Sequence, residues 1–325
     1  MLKSTSLRVL LLASTATLGM VSGAQAVVFD GTLFYTLFSG GLNVNKIDYS
    51  YDDSTFTFSL GSSVNIASTP GADGIIFAPN GNLLIGGQGT SSVYEVDPDT
   101  GAIVDTQATG APSYHLTTRA GLIYTSDFGG ALKTIDFPMT TTTTTPISGD
   151  EGGVTQIAFN AIGASYYVNG APNGGGNIGT IDLGTGVTSR LHSSVESAHG
   201  MIYDPFTDLI TLFGAGKTGT LDSAGVLKQA ATDFTCDFDQ GAVDGLGHAL
   251  IAGCSSITFL DYSISGDITA PDHVFVVGGF SGIDDVAPLV GEGAPPTHDV
   301  PEPSSLGLML GSLIGLAYIR RRRAV

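Results

Sequence analysis

An aliphatic residue followed by aspartate, each time closing a short alternating stretch, recurs six times: Ile47-Asp48, Val96-Asp97, Ile135-Asp136, Ile181-Asp182, Leu221-Asp222 and Leu260-Asp261. The intervals between these aspartates run from 39 to 49 residues. They average about 43, the length of one four-stranded propeller blade. A unit of that size cannot bury its own apolar face, so several must stack side by side. The repeat therefore restricts the fold more than any single motif does.

The clearest unit reads as four strands, at 72–78, 82–87, 92–96 and 102–106, joined by Pro79-Asn80-Gly81, Gln88-Gly89 and Pro98-Asp99-Thr100-Gly101. Each junction carries the residues that tight hairpins need. Comparable hairpins recur at 115–126, 156–169, 200–213 and 241–253. No stretch of 27–299 holds an apolar 3.6-residue period for three turns, which predicts an all-β domain and disfavours a parallel α/β sheet. Residues 27–68 supply only three strands, at 33–38, 44–48 and 55–60, whereas 282–288 reads as a first strand with nothing after it to pair with. Joined, the two ends complete one blade and leave no open sheet edge. Five further blades, from about Gly71, Ala111, Gly153, Ala198 and Asp237, bring the expected number to six, with seven as the alternative. The propeller spans 27–291 and a linker 292–299.

The termini read as addresses. Residues 1–26 combine a basic start (Lys3, Arg8), an apolar stretch and Ala24-Gln25-Ala26, the order of a secretory signal peptide cut before Val27. At the other end stand Pro301, Glu302 and Pro303, an apolar run over 306–319, and Arg320, Arg321, Arg322 and Arg323. The run is short for a bilayer, about 21 Å as a helix. The arginines place its C-terminal end in the cytoplasm and the propeller outside. This tripartite segment, 300–325, resembles the PEP-CTERM sorting signal of exported Gram-negative bacterial proteins. The resemblance implies recognition by an exosortase-type processing enzyme, a membrane-anchored precursor facing the periplasm, and a final place on the cell surface or in the extracellular matrix. The repeats are similar to those of NHL-like and gluconolactonase-like propellers.

Charge narrows the partners. The chain carries 30 acidic and 12 basic residues. Half of the basic ones lie in the two terminal segments, so the central domain is more acidic still. Such a surface repels nucleic acid.

Aligning the repeats puts Asp73, Tyr114 with His115, Thr155, His199, Gln240 and Asp284 at one mouth of the central channel. Carboxylates and imidazoles converging there could hold a divalent cation such as calcium or act as acid and base, or could simply cap strands and solvate the channel. Gluconolactonase-like enzymes hold their metal with an acidic, Asn-rich set, and no Asn stands at these aligned positions. Asp237, Asp239 and Asp244 have part of a calcium-loop spacing but lack the central Gly and closing Glu. Gly214-Ala215-Gly216-Lys217-Thr218-Gly219 matches a phosphate-loop fragment, yet Thr211 stands where the longer motif needs Gly, and a strand turn is expected instead. The aliphatic-Asp residues are expected to accept backbone N–H groups in the turns that follow them.

Cys236 and Cys254 bracket one hairpin, and an exported compartment permits a disulfide between them, worth about 3 kcal/mol in a chain-entropy account. Thr140 to Thr145 read as an exposed extended linker within the third blade. The first functional expectation is a non-enzymatic surface module that binds extracellular polysaccharide or surface proteins without a resident cofactor. The rival is a metal-assisted lyase or hydrolase using His199, Asp73 and Asp284, and convergence of those side chains would favour it.

Overall fold

The computed structural model describes residues 27–38, 41–170, 176–231, 233–234, 238–253 and 255–295. The signal peptide, the sorting segment with Pro301, Glu302, Pro303 and Arg320 to Arg323, Asp237, and both Cys236 and Cys254 lie outside them. Among the described residues every regular element is a β-strand, and no helix is long and apolar enough to cross a membrane.

Six antiparallel meanders form six sheets. Blade 2 is built from Ile75–Phe77, Leu83–Gly87, Ser92–Val96 and Ile103–Ala108. Blades 3 to 6 repeat this pattern, their innermost strands being Leu116–Arg119, Gln156–Phe159, Gly200–Asp204 and Gly241–Val243. Blade 1 is shared by the two ends of the domain, with the order Ile283–Val286, Val28–Leu37, Val44–Asp52, Thr57–Leu60. The ring is thus closed by an innermost strand from the C-terminal side, and the blade number is six. Apolar residues gather in six clusters, each between two consecutive blades: Leu33, Tyr51, Leu250 and Phe259 join blades 1 and 6, and Phe34, Val44, Ile75 and Leu83 join blades 1 and 2. Each sheet therefore buries both faces against its neighbours, and stability is distributed around the ring.

The turn chemistry follows the repeated aspartates. Asp97 Oδ1 accepts the N–H groups of Asp99 and Thr100, Asp182 Oδ1 those of Gly184 and Thr185, and Asp222 Oδ1 those of Ala224 and Val226. These N–H bonds hold the exposed Asp97 carboxyl below its usual range. Ala215 and Gly216 both have positive φ, 47° and 71°, in the tight turn between Leu209–Gly214 and Lys217–Leu221. The phosphate-loop fragment is a hairpin turn.

Two local expectations need correction. Thr142–Pro146 is the outer strand of blade 3, paired with Ala131–Asp136, and not a linker; β-branched threonines suit a half-exposed pleated edge. Blade 1 also has a further outer piece, Val64–Ala67, which pairs with the same strand as Thr57–Leu60. At four residues, Val-Asn-Ile-Ala with only Ala67 buried, it is too short to read as a strand from its pattern.

Closure is irregular in a specific way. Tyr35 faces Val286 and Leu37 faces Ile283, with a bulge between the two pairs. The buried Thr36 hydroxyl fills it, accepting the Asp285 N–H at 3.2 Å and donating to the Asp73 carbonyl at 2.9 Å. It thereby ties blade 1 to both ends of the chain and to blade 2. Thr36→Val keeps the shape and strands two buried backbone groups, which should cost about 1–3 kcal/mol. Urea unfolding of the variant measures this loss, and an unchanged midpoint and slope would remove Thr36 from the closure.

Candidate functional site

Five of the six blades start their innermost strands with the residues that matter. Asp73, His115, His199 and the pair Asp239 and Gln240 precede those strands by one or two residues. Each segment is held by the adjacent second strand: the N–H groups of Asp73, His199 and Asp239 donate to the carbonyls of Gly86, Phe213 and Ala252. Asp284 and Asp285 come from the closing strand itself. Consecutive strand residues normally point to opposite faces, and the Thr36 bulge is what lets both approach the channel. Glycines keep the ring narrow. A Cβ at Gly74 would lie 2.5 Å from the Tyr114 carbonyl oxygen, and one at Gly200 equally close to that of Asp239.

The side chains converge. His199 Nε2 lies 2.8 Å from Asp239 Oδ1, and His115 Nε2 lies 3.6 Å from the same oxygen. On its other side His115 Nδ1 is 3.7 Å from Asp285 Oδ2. The two imidazole centroids are 5.2 Å apart. Asp73 accepts N–H groups from Gly74 at 3.0 Å and Gln88 Nε2 at 3.1 Å. Two sets, His115 with His199 and Asp239, and His115 with Asp73 and Asp285, each have one donor atom per residue within 4.8 Å of the others. His199 and Asp239 form the accessible rim, whereas Asp285 is fully buried.

Of the expected channel residues, Asp73, His115, His199 and Asp284 thus belong to one cluster, and Gln240 lies against His115. Thr155 is engaged elsewhere, its hydroxyl exchanging hydrogen bonds with the backbone of Gly170. Tyr114 stacks on Phe128, with ring centroids 4.1 Å apart. The repeat alignment missed Asp239 and Asp285. Asp285 is out of register because only the bulge turns it inward, whereas Asp239 directly precedes an aligned position and could have been found. Asp239 and Asp244 do not share a calcium loop: Asp244 sits beyond Gly241–Val243, where its carboxylate accepts the N–H groups of Leu246 and His248 and lies 2.7 Å from His248 Nδ1.

Electrostatics strain the cluster. Among the described residues no lysine or arginine pairs with these carboxylates. Burial, then the charge of Asp239, pushes the Asp73 carboxyl up to about 8. Burial, then Asp73 and Asp239, pushes Asp284 up to about 10, and Asp285 is raised well above its ordinary value for the same reasons. For Asp239 burial also acts upward, but hydrogen bonding and charge from His199 together with His115 outweigh it and hold the carboxyl low. Burial lowers His115 to about 4. His115 Nδ1, Asp284 Oδ2 and both Asp285 carboxylate oxygens have no hydrogen-bond partner. Buried polar atoms rarely stay so. These orphaned atoms lie in the buried part of the cluster, whereas the more accessible set of His115, His199 and Asp239, two imidazoles and one carboxylate with an open side, fits a divalent cation as a three-ligand site, and that mixture suits zinc, manganese or iron better than calcium.

Without a cation the cluster should carry a pH signature. Between about 4 and the ordinary histidine value of 6.5, His115 is neutral when folded and protonated when unfolded, so it favours the folded state as pH rises. Asp73 works in the opposite sense up to about 8, because it keeps a proton that the unfolded chain has lost. Above 6.5 the histidine contribution is constant, and the cation-free protein should lose stability through pH 8. Melting curves from pH 6.5 to 8 should show a fall that becomes shallower but persists in Asp73→Asn, because Asp284 and Asp285 also hold protons that the unfolded chain has lost; parallel slopes for both proteins would contradict the assignment.

Comparison with known proteins separates sorting from fold. The PEP-CTERM protein-sorting motif matches residues 299–323. No curated protein matches the chain. Among solved structures, virginiamycin B lyase of Staphylococcus aureus is 10% identical, covering 78% of this chain and 89% of its own, with a TM-score of 0.50. A chain assigned as a 6-phosphogluconolactonase of Bacteroides fragilis is 11% identical, covering 79% and 97%, with a TM-score of 0.52. A chain of a nidogen–laminin complex, also 11% identical with the same coverage, has a TM-score of 0.59. At such identities the likeness is one of fold, and it extends across enzymes and a nidogen–laminin complex alike. The chain is a six-bladed β-propeller with a PEP-CTERM sorting motif at its C-terminus, which implies an exported, membrane-anchored bacterial precursor handled by an exosortase.

Proposed function

We propose that this surface-sorted propeller is a cation-dependent enzyme of the lyase or hydrolase type, acting at the channel mouth where Asp73, His115, His199, Asp239, Asp284 and Asp285 meet. The observation that carries the reading is the convergence of these groups with unpartnered, buried acceptor atoms and no basic side chain to neutralise them. Strand capping alone accounts for Thr155 but leaves this cluster unexplained. His115, His199 and Asp239 would hold the ion, which when bound polarises a substrate carbonyl or ester oxygen. Asp73 retains its proton at neutral pH and is placed to hand it to a leaving oxygen, with Gln88 and the Gly74 N–H fixing its orientation. The lyase and lactonase chains that share the fold fit this reading, but the side chains of the present site carry it.

Calorimetry on EDTA-treated protein should show one strong site for Mn2+ or Zn2+, abolished by His199→Ala. A cation at about a hundredfold excess over its dissociation constant should add about 2.7 kcal/mol of stability. In a screen of lactones and esters, the Mn2+-loaded protein should turn over at least one substrate, and Asp73→Asn should lose turnover while still binding the ion. Failure to bind either ion would sink the cation site, and binding without turnover would restore the non-enzymatic surface module.

Sorting is tested separately. Glu302→Ala, or deletion of Arg320 to Arg323, should leave unprocessed precursor in the inner membrane. Normal processing of both variants, read by fractionation and mass spectrometry of the mature C-terminus, would contradict a role for the segment.

A further inference from the structure

The opposite end of the channel is built differently. After the closing strand the chain runs on through residues 287–295 along this second mouth. Glu292 accepts the Ala120 N–H at 2.8 Å and reaches that of Gly121, and Gly293 packs so tightly against the Ala78 carbonyl that a Cβ there would collide with it. This strap and the ends of the innermost strands enclose a cavity of about 600 Å3, walled by Phe77, Phe159, Met201 and Val290. The lining is mostly apolar with polar members that include Thr117, Asn160 and Glu292, and two further polar side chains bear on a ligand. Gln240 is 2% exposed and reaches the cavity from the channel, and its Oε1 has no donor at hydrogen-bond geometry. Arg119 stands at the rim with its guanidinium 4.8 Å from the centre of the Phe159 ring.

Among the described residues Arg119, like Lys46 and Lys133, makes no ion pair, and it alone of the three lines this cavity. Arg190 pairs with Glu151, Lys217 with Glu196 and Lys228 with Asp267. Among the described residues no carboxylate lies within ion-pair distance of Arg119, and Glu292, close by in sequence contact, is turned to backbone N–H groups. A planar guanidinium fixed over an aromatic ring, with its donors free of acid, is suited to receive a carboxylate from outside. The mostly apolar walls suit a ring or short chain, and the orphan Gln240 oxygen suits an N–H or O–H donor.

We propose that this second mouth is a binding site for a small organic carboxylate with an apolar ring body and one hydrogen-bond donor, separate from the cation cluster. The ligand carboxylate pairs with Arg119, its body fills the cavity, and its donor meets Gln240. Because residues 287–295 form one wall and lead directly to the sorting segment, ligand and C-terminal strap share a surface.

The chain contains no tryptophan but 11 tyrosines, so an indole probe excited on the red edge of its band, where tyrosine does not absorb, can be read without protein background. Titrating the full ectodomain with indole-3-butyrate in EDTA should give saturable binding. Arg119→Gln should weaken it about tenfold or more, the usual effect of losing a charge-assisted pair. The uncharged indole-3-butyramide should bind the wild type about tenfold or more weakly than the butyrate, a control that needs no mutant to fold, and should not distinguish wild type from Arg119→Gln. Absence of saturation in the millimolar range, equal affinity of butyrate for wild type and Arg119→Gln, or dependence of binding on added Mn2+ would each overturn the proposal.

Discussion

The ends of this domain meet around one hydroxyl: the Thr36 side chain between the Asp285 N–H and the Asp73 carbonyl, flanked by Tyr35 with Val286 and Leu37 with Ile283, with the Phe38 and Ala287 N–H groups donating to the Gly282 and Phe34 carbonyls on either side. Closing a ring of six sheets requires ordering some 250 residues of intervening chain, and the entropic cost of joining distant ends grows only slowly with length. What the joint must supply is geometry. By inserting a bulge there, the chain aligns its last strand and at the same time turns two adjacent carboxylates toward the axis. Closure and site are therefore one feature.

That coupling explains the electrostatic character of the first mouth. Six blades converge on a narrow axis, and Gly74 and Gly200 allow their inner strands to approach more closely than any side chain would permit. Polar groups brought there lose water together. The result is an assembly of carboxylates that hold protons at neutral pH beside one, Asp239, that two histidines keep ionised. Separating the protonation states of neighbouring acids in this way is a property of sites that move protons or hold cations. The second mouth differs in composition, a mostly apolar chamber with Arg119 and Glu292 as its charged lining residues. One channel thus presents two chemistries at opposite ends.

Much of the fold was legible in the sequence because propeller blades repeat and their turns need particular residues. The aliphatic-Asp steps, the Asn-Gly and Gly-rich hairpins and the unpaired first strand at 282–288 together favoured six blades over seven and indicated the shared one. The site was legible where it followed the repeat, at Asp73, His115, His199 and Asp284. It was hidden where register broke: nothing in Ile283-Asp284-Asp285-Val286 announces a bulge, so a strict alternation sends Asp285 away from the axis. Thr155 shows the converse, an aligned polar residue spent on the Gly170 backbone. Thr142–Pro146 was hidden for a different reason, since a threonine run fits an exposed linker and an edge strand equally well until its partner is known.

Anomalous diffraction at the manganese edge, from crystals grown with that ion, bears most directly on the account. It predicts one strong peak about 2.0–2.2 Å from nitrogen atoms of His115 and His199 and an oxygen of Asp239, the distances expected for such ligands. A channel mouth without a peak, with the metal found only on surface carboxylates, would contradict it.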